Sequence, residues 1–196
     1  MDQETKRLAV FESATAVFSQ YGFRRTSMND LAEAANISRP ALYLMFDNKE
    51  DLFRQLATHR QAEAIDVAAS RLAGDAAFDK RIIEAILAYE KVYYEPVSQS
   101  PHGAELMDVN LSIASADMLA GLDRLLSQIA ASIEEAVTNG HADLSITGLA
   151  PRAFVDLLMS SIGGQKKTAT STDDFRRKVR NVTSIFLASI TKKETS

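Results

Sequence analysis

Four cations near the start of the chain, Arg24, Arg25, Arg39 and Lys49, are interleaved with the hydrogen-bonding side chains of Thr26, Ser38 and Tyr43. Cations and hydroxyls mixed in this way suit phosphate oxygens and base edges, which are met at a surface rather than in a reaction pocket. Reaction chemistry finds no comparable set. GxGxxG, GxSxG, Glu-x-x-His and a complete Walker A are absent, and GGQKKT places lysines after glycines without the upstream glycine spacing. Adjacent acids such as Glu134-Glu135 and Asp173-Asp174 point about 100° apart on a helix and make poor acid/base partners. His59 and Glu63, four apart, read as a surface pair more readily than as metal ligands. The expectation is a protein without catalytic residues, metal or cofactor.

Short elements must position these cations. Ser27 with Asp30 three residues on is a capping box, so a helix starts at Met28. Met28, Leu31, Ala32 and Ala35 give it one narrow apolar face. Asn36 stands where the chain reverses, since asparagine tolerates a left-handed backbone. Ser38 caps the next helix, and Pro40 lies in its first turn. Roughly seven residues follow before Asp47. The resulting element is ~10 Å long and suits a major groove, with Arg39, Pro40 and Ala41 at its leading end. Ile37, Leu42 and Phe46 can turn inward, leaving Arg39, Tyr43, Leu44 and Met45 outside.

An amphipathic helix precedes this pair, with Leu8, Phe11, Phe18 and Tyr21 as its stripe, Ala14 and Val17 filling between, and Gly22 ending it. Arg24, Arg25 and Thr26 then fall in a connection, as phosphate candidates. Asp47 with Glu50 reads as the cap of a further helix, and Lys49 in its first turn is expected to face a phosphate together with the free amides.

Beyond this stretch the pattern is helical throughout. One helix runs from Lys49 to about Arg71 and another from Phe78 to Glu95, with Pro96 past its end; Tyr89 and Tyr93 on the latter are candidates for lining a ligand pocket. Ser98 to Pro101 reads as a loop, His102 to Asn110 as a short helix and Ala116 to Asn139 as a long core helix ended by Gly140. Pro151 opens a helix that stops at Gly163-Gly164, and Gln165 to Thr170 reads as a polar linker. Ser171 with Asp174 caps the last helix, whose apolar face is Phe175, Val179, Val182, Phe186 and Ile190. Two apolar helices at the end of a small helical protein make a fair homodimer site.

The 196 residues, 46% hydrophobic and 24% charged, can bury a real core. The net charge of −4 lies away from the cations: residues 1–60 hold eight Lys and Arg against eight Asp and Glu. Local charge is what meets phosphates. With no cysteine, no signal-peptide core and no membrane-length apolar run, a soluble cytoplasmic protein is expected.

The first 60 or so residues resemble the DNA-binding domain of TetR-family transcriptional regulators. The resemblance joins, in order, Tyr21-Gly22-Phe23, Arg24-Arg25-Thr26-Ser27, Asp30-Leu31-Ala32, Ala35-Asn36-Ile37-Ser38, Ala41-Leu42-Tyr43, Phe46 and Asn48-Lys49-Glu50-Asp51-Leu52. Asn36 stands where the family commonly has Gly, and Leu44 and Met45 where it commonly has aromatic or His side chains. The resemblance implies an all-α chain, with a three-helix helix-turn-helix domain over 1–48 and a helical effector-binding and dimerisation domain over 49–196. It also implies repression from a pseudo-palindromic operator, bound as a homodimer paired through the last two long helices, and release by a small effector. His102 and Met107 join Tyr89 and Tyr93 as pocket candidates because the family holds effectors among its middle helices. Arg39, Pro40 and Ala41 are then the base readers, with Ser38 as the cap beside them. Arg24, Arg25, Thr26, Tyr43 and Lys49 hold phosphates, and Leu44 or Met45 touches a thymine methyl or sugar. Leu44 and Met45 also motivate a second reading, a helical ligand-binding or interaction module that has lost operator binding.

Overall fold

A computed structural model of the chain describes residues 2–113 and 115–192. Among them lie ten helices: α1 (Gln3–Tyr21), α2 (Met28–Ala34), α3 (Arg39–Tyr43), α4 (Lys49–Leu72), α5 (Phe78–Tyr93), α6 (Glu95–Ser98), α7 (Gly103–Ile113), α8 (Ser115–Thr138), α9 (Pro151–Gln165) and α10 (Thr172–Ala188). The described residues form no strand, and a lone antiparallel bridge joins Ala142 to Thr191. None of their helices is long and apolar enough to cross a membrane. The all-α expectation holds.

Packing divides the chain into two compact units, residues 1–62 with 93–119, and residues 63–92 with 120–196. The cut expected at residue 48 follows the end of the helix-turn-helix, whereas the compact units share α4 and return the 93–119 segment to the N-terminal helices.

In the first unit the core is Val10, Phe11, Ala14, Val17 and Phe18 of α1 against Leu31, Leu42, Phe46, Leu52, Phe53 and Leu56, with Leu106 from α7. Phe18, Phe23 and Phe53 form a three-ring cluster with centroids 5.1–5.7 Å apart. The stripe of α1 is rotated from the one expected. Val10 is inside, while Leu8 and Tyr21 are 37% and 51% exposed, because the buried positions follow 10/11, 14 and 17/18. The capping box at Ser27 forms in both directions, and Asn36 takes φ 53°. The cap of α4 falls one residue later than expected: Asn48 Oδ1 accepts from the Asp51 N–H at 2.8 Å, and Asp51 reaches back to the Asp47 N–H at 3.2 Å. Helix α5 ends at Tyr93, two residues before the expected Glu95, and Pro96, past that end as expected, sits in the first turn of a further short helix, α6, where its missing N–H is tolerated.

In the second unit Ile82, Ile86 and Tyr89 of α5, Leu125, Ile129 and Ile133 of α8, Phe154, Leu158 and Ile162 of α9 and Phe175 and Val179 of α10 are buried. Phe154 meets Phe186 edge to face at 5.6 Å. Buried Glu90 is paired with Lys166 at 3.0 Å. Helix α9 runs through Gly163 and Gly164 to Gln165, so the expected stop is displaced. Neither glycine has positive φ, and glycine weakens a helix without forbidding it.

Candidate nucleic-acid interface

The turn after α1 is built around Gly22, whose φ of 80° strains any L side chain; a Cβ there would lie 2.5 Å from Glu105 Oε2 and 3.0 Å from His102 Nδ1 and would displace those side chains. The turn is clamped from two sides. Thr26 is buried and its hydroxyl donates to the Gly22 carbonyl at 2.7 Å. Lys49 Nζ donates to the carbonyls of Phe23 and Thr26, both at 2.8 Å, and lies 4.4 Å from the Phe23 ring centroid. From α7, Glu105 accepts the Arg24 N–H at 2.8 Å and faces His102 at 3.6 Å. Ser100 adds a 2.7 Å bond to the Ser19 carbonyl.

These contacts sort the expected phosphate residues. Arg24 and Arg25 are exposed. The hydroxyl of Thr26 is enclosed and used internally, so no contact passes through its side chain as it stands. Half-buried Lys49 has its ammonium on two backbone carbonyls, where the expectation had it facing outward.

Helix α3 presents a different surface. Ser38 Oγ accepts from the Ala41 N–H at 3.3 Å, closing the cap, and Ser38, Arg39 and Pro40 are exposed, with Ala41 half-buried. Leu42 and Phe46 anchor the helix in the core at 0% and 1% exposure, while Tyr43 and Leu44 project at 42% and 86%. Arg39 lies over the Tyr43 ring at 5.5 Å, with a long 3.5 Å contact to its hydroxyl. Met45, expected outside, is half-buried against the core, because it lies nearer the Leu42–Phe46 side than Leu44 does. The exposed set of two arginines on the turn and an arginine, a tyrosine and a leucine on a short anchored helix combines positive charge, hydrogen-bond donors and apolar contact.

Of the four pocket candidates, two share one cavity. A cavity of about 80 Å³, lined entirely by the first unit, includes Tyr93 and Met107 in its walls. Buried Tyr89 belongs to the second unit, and His102 is engaged with Glu105 at the turn. Tyr93 accepts from Asn110 Nδ2 at 2.7 Å. Glu105 and Asn110 were missed in the sequence. A polar residue one turn from Leu106 on an apolar helix was the available sign for Asn110; for Glu105, whose partner is 81 residues away, there was none.

The family model described as bacterial regulatory proteins, tetR family, matches residues 10–56, the stretch that holds α2, α3 and the turn. The HTH-type transcriptional regulator YhgD of Bacillus subtilis (strain 168) is 28% identical over 144 residues, covering 71% of this chain and 73% of that protein. The HTH-type transcriptional repressor ComR of Escherichia coli (strain K12) is 46% identical over 48 residues, 24% of this chain and 23% of ComR. The structure of SmeT, the repressor of the Stenotrophomonas maltophilia multidrug efflux pump SmeDEF, matches with a TM-score of 0.70 at 17% identity, over 96% of this chain and 91% of that one. At that identity the likeness carries the fold.

Proposed function

Because this chain belongs to the tetR family of bacterial regulatory proteins, DNA-binding transcriptional regulators and not enzymes, we propose that it represses from a pseudo-palindromic operator as a homodimer and is released by a small-molecule effector. The observation that carries the reading is the outward face of α3, with Arg39 and Tyr43 exposed and Leu44 86% exposed on a helix pinned by Leu42 and Phe46. A short anchored helix with an exposed leading arginine fits a major groove. Arg39, Pro40 and Ala41 face base edges, Leu44 a thymine methyl, and Arg24, Arg25 and Tyr43 the flanking phosphates.

Homodimer formation is supported by exposed apolar residues on the last two long helices, Leu157 at 52% and Ile185 at 70%. Effector release is supported by the cavity in the first unit, because its α7 wall also carries Glu105 onto the Arg24 amide.

Genomic fragments selected by the purified chain, then footprinted beside Arg39→Ala, test the reading. The expected result is a protected inverted repeat, with a loss in the variant of ~1–3 kcal/mol that depends on operator sequence. Equal weakening on every sequence assigns Arg39 to phosphate, and no selected fragment at any salt removes operator binding.

A further inference from the structure

The cavity walled by α1, α4, α6, α7 and Tyr93 at the end of α5 has in its lining a side chain, Asn110, with one polar atom unpartnered among the described residues. Asn110 is only 9% exposed; its Nδ2 donates to Tyr93 Oη at 2.7 Å, while its Oδ1 has no hydrogen-bond partner among the described residues. Native proteins leave few buried polar atoms unpaired, and each calls for an explanation. The surrounding walls are largely apolar, with Phe18, Phe53, Leu56, Val97, Leu106 and Met107. Thr15, Ser19, Arg60 and Tyr93 also line this partly open cavity, and a concave, mostly apolar surface with a few polar groups is the usual make-up of a small-molecule site.

We propose that this cavity binds a small, mostly apolar molecule bearing one hydroxyl, which donates to Asn110 Oδ1 while the apolar body packs on Phe18, Phe53, Leu56 and Met107. The proposal deepens the effector reading above and rests on it for its regulatory consequence. The volume of about 80 Å³ sets the size: it is far below the ~300–1,000 Å³ of sites for drug-sized ligands, so a single ring or short chain is admitted. A bulkier molecule must displace α7. That helix contributes Leu106, Met107 and Asn110 to the cavity and, next to Leu106 in the chain, Glu105 to the Arg24 amide. Occupancy of the cavity is thereby linked to the turn that carries Arg24 and Arg25.

Calorimetric titration of the full chain with 4-methylphenol, 4-methylanisole and toluene tests it, since the three share a ring and differ in offering a donor, an acceptor alone, or neither. The phenol is expected to bind about tenfold or more tightly than the other two, and Asn110→Ala to bring the three within about threefold of one another. Equal binding of phenol and anisole by the wild type overturns the donor assignment, and this comparison decides even if the variant does not fold. Binding of none of the three overturns the site. Ala57→Phe, which fills the cavity, is expected to abolish phenol binding; unchanged binding places the ligand elsewhere and overturns the assignment. Operator binding is measured on the same preparations. A chain that binds the phenol but no DNA retains the site and loses the regulator reading, whereas one that binds operator and no ring probe loses the site alone.

Discussion

At the scale of single residues, Lys49 separates two jobs that the sequence leaves superimposed. An ammonium in the first turn of a helix is poorly placed against the helix dipole, and either an external phosphate or internal carbonyls resolve this. In the structure two carbonyls, Phe23 and Thr26, receive it at 2.8 Å. Lys49→Met keeps the stem and removes both bonds. The expected outcome is a loss of about 1–3 kcal/mol in urea unfolding, with an unchanged slope of operator affinity against salt. A slope reduced by about one, with unchanged stability, would return Lys49 to the phosphates. Arg24 and Arg25 make the contrast, because each is exposed and each substitution is expected to flatten the salt slope.

At the scale of elements, the starts of α2 and α4 depend on carboxylates. Burial pushes the Asp51 carboxyl up, but hydrogen bonds from Gln55 and the Asp47 N–H, together with Arg54, outweigh it and hold the group below its ordinary value. The Ser27 N–H and hydroxyl do the same for Asp30. A carboxyl with a depressed folded-state pKa stabilises fully above its unfolded value of about 3.9 and loses that contribution as pH falls through the folded value. Stability is therefore expected to be flat from neutral pH to about 5 and to decline on further acidification. Asp51→Asn is expected to flatten part of that decline, as read from urea midpoints between pH 3 and 7. An acid-side slope identical to the wild type would show that the Asp51 cap contributes nothing.

At the scale of the whole molecule, the proposed function has a chain of net charge −4 meet DNA through local charge, and because one short helix reads few base pairs that proposal calls for two copies. Leu157 and Ile185 stand exposed on α9 and α10, whose Phe154, Val155, Leu158, Ile162, Phe175, Val179 and Leu187 are buried in the core. Leu157→Glu with Ile185→Glu changes two side chains already in contact with water and leaves that core intact. Sedimentation equilibrium is expected to report a monomer for this double variant and a dimer for the wild type, with operator binding lost in the variant. A variant that stays dimeric would place the interface on another surface.

The sequence by itself determined the helical class, the capping box at Ser27, the reversal at Asn36, the cap at Ser38 and the burial of Leu42 and Phe46. All of these rest on contacts within four residues or on one helical period, which spacing records directly. It misplaced features that depend on neighbours distant in the chain. The α1 stripe turned to bring Val10 inward, Met45 leaned on the core, and Gly163-Gly164 stayed within a helix because a glycine's weakness was not enough to end it. Only the tertiary structure decided which polar groups are used internally and which are left over. Lys49 meets carbonyls more than twenty residues away, Glu105 meets an amide 81 residues away, and Asn110 gains Tyr93 while its other amide atom has no partner among the described residues. Hydrogen bonds of that kind follow from where folding brings backbone groups together, and no periodicity in the chain encodes them.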